Sequence, residues 1–184
     1  DDTRAALADV KTRYDHRIER QQNAGPAVAR QRGVDLARGR IVVFLDDDVR
    51  PSPELLARHH GALSGHLGPV VSLGPLLAPA GSRLAPWDLW EADRLARDYG
   101  RLARGEAVPS WTHLYTGNAG VRREDVLRAG GFDVALPRQE DIELGYRLAA
   151  QGCEFVFDPA AVAWHVAARS LAQWLELPRA SAQG

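Results

Sequence analysis

The sequence predicts an α/β domain with a mostly parallel, mixed central sheet flanked by helices. Three observations predict it. Short apolar runs rich in β-branched residues alternate with stretches of helical period. The run Ile41-Val-Val-Phe-Leu45 is continuous, as in a parallel strand covered on both faces. Gly and Pro stand between the periodic stretches, where turns belong.

The elements follow in order. Asp2 or Thr3 caps a first helix over about residues 3–14, with Leu7, Val10 and Tyr14 at helical spacing. A short strand is expected around Arg17–Gln21. Asn23-Ala-Gly-Pro26 is a turn, and Pro26 opens a second helix that Gly39 ends. After the 41–45 strand, a third helix starts at Pro53, capped by Ser52. Val70–Leu77 reads as a strand. Residues 78–112 are irregular and hold Trp87, Trp90 and Trp111, with a short helix over about 88–103. These tryptophans fit core packing or stacking on a ligand. Then come a strand over His113–Val121, a helix over Arg123–Ala129, the break Gly130-Gly131 and a helix over Glu140–Gln151. A strand at Glu154–Phe157, a short strand or loop at Val162–Val166 and an amphipathic helix at Ser170–Leu177 complete the chain. Residues 1–170 form the expected core, and 171–184 a terminal helix and tail.

Composition narrows the function. The 184 residues carry a net charge of −1, so no basic balance argues for a nucleic-acid partner. Lys11 is the only lysine, so a mechanism that needs a later lysine has none. Cys153 is the only cysteine, which suits a reducing cytoplasm. No run approaches the ~18 apolar residues of a membrane span, so any membrane contact is expected to be peripheral, at the inner face. The chain contains no methionine and opens on Asp1-Asp2-Thr3 already in helical period, as expected of a chain lacking an N-terminal part.

The acidic run Asp46-Asp47-Asp48 ends the apolar strand, where ligands bind in open α/β sheets. Adjacent carboxylates repel unless a cation or donors lie among them. In an extended segment Asp46 and Asp48 share a side and serve one ion, and their oxygens suit Mg²⁺ or Mn²⁺ bridged to phosphate. A solvated turn fits the same residues. So does a metal-dependent phosphohydrolase with Asp46 as nucleophile, Asp48 as acid and Glu140-Asp141 as a further metal pair.

The second constellation is Thr116-Gly-Asn118-Ala-Gly-Val-Arg-Arg123, Gly130-Gly-Phe-Asp133 and Gln139-Glu-Asp141-Ile-Glu143-Leu-Gly-Tyr-Arg147. Glu140 and Asp141 begin a helix, where the dipole stabilises acids and depresses their pKa. They equally suit a general base at the mouth of a site. Glu143 and Arg147 form an i,i+4 pair.

These pieces, with Asn23–Gly33, Ile41–Asp48 plus Arg50-Pro51, and Pro159–His165, occur in one order along residues 1–170. In that order the sequence resembles the family 2 glycosyltransferases, which have the GT-A, nucleotide-diphospho-sugar transferase fold. The resemblance implies an inverting, metal-dependent transfer from a nucleotide-diphosphate sugar donor to a carbohydrate or other hydroxyl acceptor, as in building cell-envelope polysaccharide. Asp46 and Asp48 match the ends of the family's Asp-x-Asp motif, with Asp47 between them at the donor. Asp141 is then the base, with Glu140 beside it. His165 completes a shell with Asp46 and Asp48 around Mn²⁺ or Mg²⁺. Arg30 belongs to the nucleotide-facing segment, and Gly117 and Asn118 line the donor and acceptor side. His16, His59, His60, His66 and His113 are expected to be solvated or satisfied locally. Two departures stand out. Gln31 stands where the family usually has asparagine, and the resemblance implies that the family's first strands, with their base-reading carboxylate, would precede Asp1. A nucleotide-sugar-binding domain without catalysis is the remaining alternative.

Overall fold

A computed structural model describes residues 7, 10, 12, 14–166 and 169–181, the last five by backbone alone. The first expected helix lies largely outside the described residues. The expected strand at 17–21 does not form; that segment has no regular structure.

Helix α1 is Pro26–Leu36, with Pro26 at its start and Gly25 before it at φ 92°. Gly suits that left-handed entry. Strand β1 is Ile41–Leu45, and the turn closed by Val49 N–H on the Asp46 carbonyl leads to β2, Val49–Pro51. Helix α2 is Leu55–Gly65, β3 is Val70–Leu73, β4 is Leu76–Leu77 and α3 is Pro86–Ala103. A 3₁₀ turn at Trp111–His113 precedes β5, Asn118–Arg122. Helices α4, Arg123–Arg128, and α5, Glu140–Ala150, follow. Strand β6 is Glu154–Phe157, β7 is Ala163–His165 and α6 is Leu171–Ser181.

The main sheet has the order β1-β5-β3-β6. β5 is antiparallel to both neighbours and β3 is parallel to β6, so β1, β3 and β6 share a direction. The sheet is mixed, as expected, but two of its three pairings are antiparallel, so it is less parallel than the alternating pattern predicts. β2, β7 and β4 form a second, smaller sheet. The core packs Val71, Leu73 and Val121 of the main sheet against Val126, Phe132, Leu144 and Leu148 from beneath α4 and α5. Phe44 meets Phe132 edge-on at 5.4 Å.

Several expectations change. β1 is not covered on both faces: among the described residues it is an edge strand, and only Phe44 in it is buried. β3 is the strand buried throughout. Val70–Leu77 splits at Pro75: the Gly74 amide still donates to the Asn118 carbonyl in register with β5, and Pro75, which has no amide, ends the ladder there. Ser52 does not cap α2. Its carbonyl accepts the Leu55 amide, and its hydroxyl is buried without a hydrogen-bond partner among the described residues. The expected strand from His113 starts only at Asn118, because the Trp111–His113 turn takes the preceding backbone.

Candidate active site

The carboxyl end of β1, strand β4 and the turn before β5 open on a cleft of about 580 Å³, within the range of ligand sites. Arg30 comes to it from α1, Asp46 from the end of β1, Gly117 from the turn before β5, and Asp141 from the first turn of α5. His165 ends β7 on the other side.

Arg30 is the centre of one end of the cleft. Its guanidinium donates to Asp46 Oδ1 at 2.7 Å and, through Nη1, to Glu140 Oε1. Glu140 is 5% exposed, so its charge is compensated by this fork rather than by water. Asp46 and Asp48 do not lie along an extended segment. The tight turn at 46–49 separates them, and Asp48 Oδ2 faces His165 Nε2 at 3.2 Å. β2 and β7 place that pair, since Val49 registers with His165 and the Val166 amide donates to the Asp48 carbonyl. The middle residue, Asp47, is exposed.

Asp141 is half-buried, and one oxygen takes the Ile142 amide at 2.8 Å. Its carboxyl pKa is raised, first by burial, with the neighbouring Glu140 charge adding to the effect. The amides of Ile142 and Thr116 and the charge of Arg30 pull it down. The expectation that the helix dipole depresses this pKa is therefore overturned: loss of water outweighs the helix start. Just before it, Gln139 takes a left-handed φ of 65°, which a non-glycine residue holds only where its surroundings enforce it.

The expected three-residue metal shell is not assembled. Among the described residues no three His, Cys, Asp or Glu side chains gather as a metal site. Asp46 is engaged by Arg30, while Asp48 and His165 stand together. Oxygen and imidazole nitrogen suit Mn²⁺ or a similar ion that takes its other ligands from phosphate and water.

The profile described as glycosyltransferase like family 2 matches residues 1–182. The chain belongs to that family. Curated relatives of this family 2 chain include the pre-mycofactocin glycosyltransferases of two Mycobacterium tuberculosis strains, CDC 1551 / Oshkosh and ATCC 25618 / H37Rv. Each is 28% identical over 162 residues, 86% of this chain and 33% of the relative. The chain thus spans about a third of the length of the curated relatives it matches. Among solved structures it is similar to the mannosyltransferase PcManGT from Pyrobaculum calidifontis, in complex with GDP-Man and Mn²⁺. The TM-score is 0.60 and the identity 22%, over 90% of this chain and 43% of that one. S. aureus TarS matches with TM-score 0.55 and 14% identity, over 79% of this chain and 42% of that one. Its complex with UDP matches with TM-score 0.51 and 17% identity, over 87% and 45%. These likenesses show the GT-A fold.

Within this family 2 domain, two further expectations need correction. The Asn118 side chain does not line the cleft. It is 2% exposed and accepts from His59 while donating to the carbonyls of Pro75 and Ala161. His59 is neither solvated nor satisfied locally; it is fully buried and bonds to residues 13 and 59 positions away. None of Trp87, Trp90 and Trp111 lines the cleft: Trp111 packs on Tyr146, Trp90 on Trp174, and Trp87 donates to the Arg169 carbonyl. Gln31, in place of asparagine, accepts from the Phe132 amide at 2.8 Å and so holds the turn after Gly131. The family resemblance also gave no sign of Arg169, which lines the cleft clamped by Asp88 and Glu91. Cys153 is buried, and burial pushes its thiol up to about 11, so it is unreactive.

Proposed function

We propose that this domain transfers a sugar, with inversion, from a nucleoside-diphosphate donor to a hydroxyl acceptor. The observation that carries the reading is Asp141. It is a half-buried carboxylate with a raised pKa, and it opens on the same cleft as Asp46 and His165. A base partly withdrawn from water and shifted toward neutrality is better matched to a hydroxyl proton than a solvated aspartate.

In the proposed step the acceptor oxygen attacks the anomeric carbon as its proton passes to an Asp141 oxygen. The bond from that carbon to the diphosphate oxygen breaks, and the electron pair leaves with the nucleoside diphosphate. Arg30 is the nucleotide-side cation and fixes Asp46 and Glu140. Glu140, spent on Arg30, is a supporting group rather than a second base. Asp48 and His165 would hold a divalent ion, whose chemistry is to neutralise the diphosphate. Gly117 leaves its backbone open to the donor. The GDP-Man and Mn²⁺ of the mannosyltransferase support a nucleotide-sugar donor and a divalent metal here. The imidazole favours Mn²⁺ over Mg²⁺.

Family membership and the engagement of Asp46 by Arg30 speak against a phosphohydrolase with Asp46 as free nucleophile. The test is a thermal-shift series with UDP, GDP, dTDP and phosphate, each with and without Mn²⁺, followed by nucleotide release from the matching donor. One diphosphate should stabilise the protein only with metal. Stabilisation by phosphate alone, with release from phosphomonoesters, would reverse the reading.

A further inference from the structure

We infer that His59, which does not reach the cleft, is a positioning residue for transfer: it sets Asn118, and through it the turn that touches both Asp46 and Asp141. The inference rests on the reading of those two residues given above.

A fully buried imidazole needs partners for both nitrogens. His59 has them. Nε2 lies 2.9 Å from Asn118 Oδ1, and Nδ1 lies 2.8 Å from the Ser72 hydroxyl. The orientation of Asn118 is fixed, because Nδ2 has two carbonyls before it, Ala161 at 2.7 Å and Pro75 at 3.0 Å. Its Oδ1 therefore accepts, His59 Nε2 carries the proton, and Nδ1 accepts from Ser72.

Asn118 is where the two halves of the site meet. Its amide closes the turn on the Tyr115 carbonyl, at 3.1 Å. Within that turn the backbone runs hard against Asp46: a Cβ on Gly117 would sit 3.1 Å from Asp46 Oδ2. The Thr116 amide acts on the Asp141 carboxylate. On the other side, Ala161 leads into β7 and so to His165. The glycines around the network leave no slack. A Cβ on Gly74 would fall 2.3 Å from the Ala161 carbonyl oxygen, and one on Gly120 3.1 Å from the His59 ring. A loss of the His59 bond leaves a buried carbonyl unpaired at this junction, and a shift near 1 Å there is of the size that lowers turnover about 100-fold.

Two near-isosteres separate positioning from simple support. His59→Gln keeps an N–H near the Nε2 position and reaches Asn118. His59→Asn keeps only the side toward Ser72. Turnover, KM and melting temperature are measured for both, with Ser72→Ala as a third variant that leaves the Asn118 bond in place. His59→Asn should lose about 10-fold or more in kcat, while His59→Gln and Ser72→Ala stay within about 3-fold of wild type. Equal turnover in the two His59 variants, or losses that follow only melting temperature, would overturn the inference. Should His59→Asn not fold, a large kcat loss in a folded Ser72→Ala or His59→Gln does the same. Wild-type protein without transfer sinks the reading of the site and this inference with it.

Discussion

Asp48 Oδ2 and His165 Nε2 stand 3.2 Å apart, brought together by the short β2–β7 ladder. One donor is a hard oxygen and the other an imidazole nitrogen, so an ion held by the pair, as proposed, would be chosen by its affinity for nitrogen. His165→Ala is expected to weaken Mn²⁺-dependent nucleotide binding about 10-fold or more and leave the metal-free melting temperature near wild type. His165→Asp should shift the preference toward Mg²⁺. Calorimetric titration of the nucleotide at fixed Mn²⁺ or Mg²⁺ checks both. An unchanged ion preference would remove the pair from the metal.

Arg30 holds a carboxylate that is almost out of water. The Glu140 side chain is 7% exposed and that of Arg30 20%. Arg30→Ala should destabilise the fold by roughly 3 kcal/mol, the low end for an orphaned buried charge because the arginine is itself partly solvated. Adding Glu140→Gln should recover most of that loss. Urea unfolding of the two variants decides it: if the double variant is no more stable than Arg30→Ala, the buried charge is not the cause.

What could be read in advance follows the range of the interactions. The apolar run 41–45 and the Pro26 helix start are local signals, and both elements form where expected. That β1 lies at a sheet edge depends on pairing with 118–122, which no local pattern records. The acidic run marked one end of the cleft, yet its division between Arg30 and His165 comes from a turn and from distant partners. Asp141 looked like a dipole-stabilised helix start because helix position is local and burial is not. His59 sits beside His60 on one helix, and helical spacing puts it between Leu55 and Leu63 on the buried stripe, a signal that reading the histidines one by one passes over.

Asp141 should trade stability for chemistry. Burial raises its pKa, so between the ordinary aspartate value of about 3.9 and the raised one the folded state binds the proton more tightly than the unfolded chain. Its contribution is favourable below that window and is lost as pH rises through it. At neutral pH the ionised carboxylate opposes folding. Asp141→Asn is therefore expected to melt no lower than wild type while turnover falls by about 100-fold or more. The acid limb of the wild-type pH–rate profile should lie above the range of a solvated aspartate. Wild-type turnover in Asp141→Asn, or a clear drop in its melting temperature, would count against the base.

His59 gives the opposite dependence. Burial lowers its pKa below the ordinary 6.5, against the hydrogen bond to Asn118 and the charge of Asp158, which raise it. The unfolded chain takes up a proton near pH 6.5 and the folded one resists it. The stability tied to the neutral ring is complete above about pH 6.5 and fades as pH falls toward the folded value. Wild-type stability should then decline below pH 6.5 more steeply than that of His59→Gln, by at most one proton, about 1.4 kcal/mol per pH unit. The comparison cancels the other histidines, among them His66 beside Glu154 and His113 beside Asp98, whose carboxylate partners remain in both proteins. Melting curves from pH 8 to 5 measure the difference. Parallel slopes for the two proteins would mean that the ring takes a proton while folded, and that the Ser72–His59–Asn118 network does not hold it neutral.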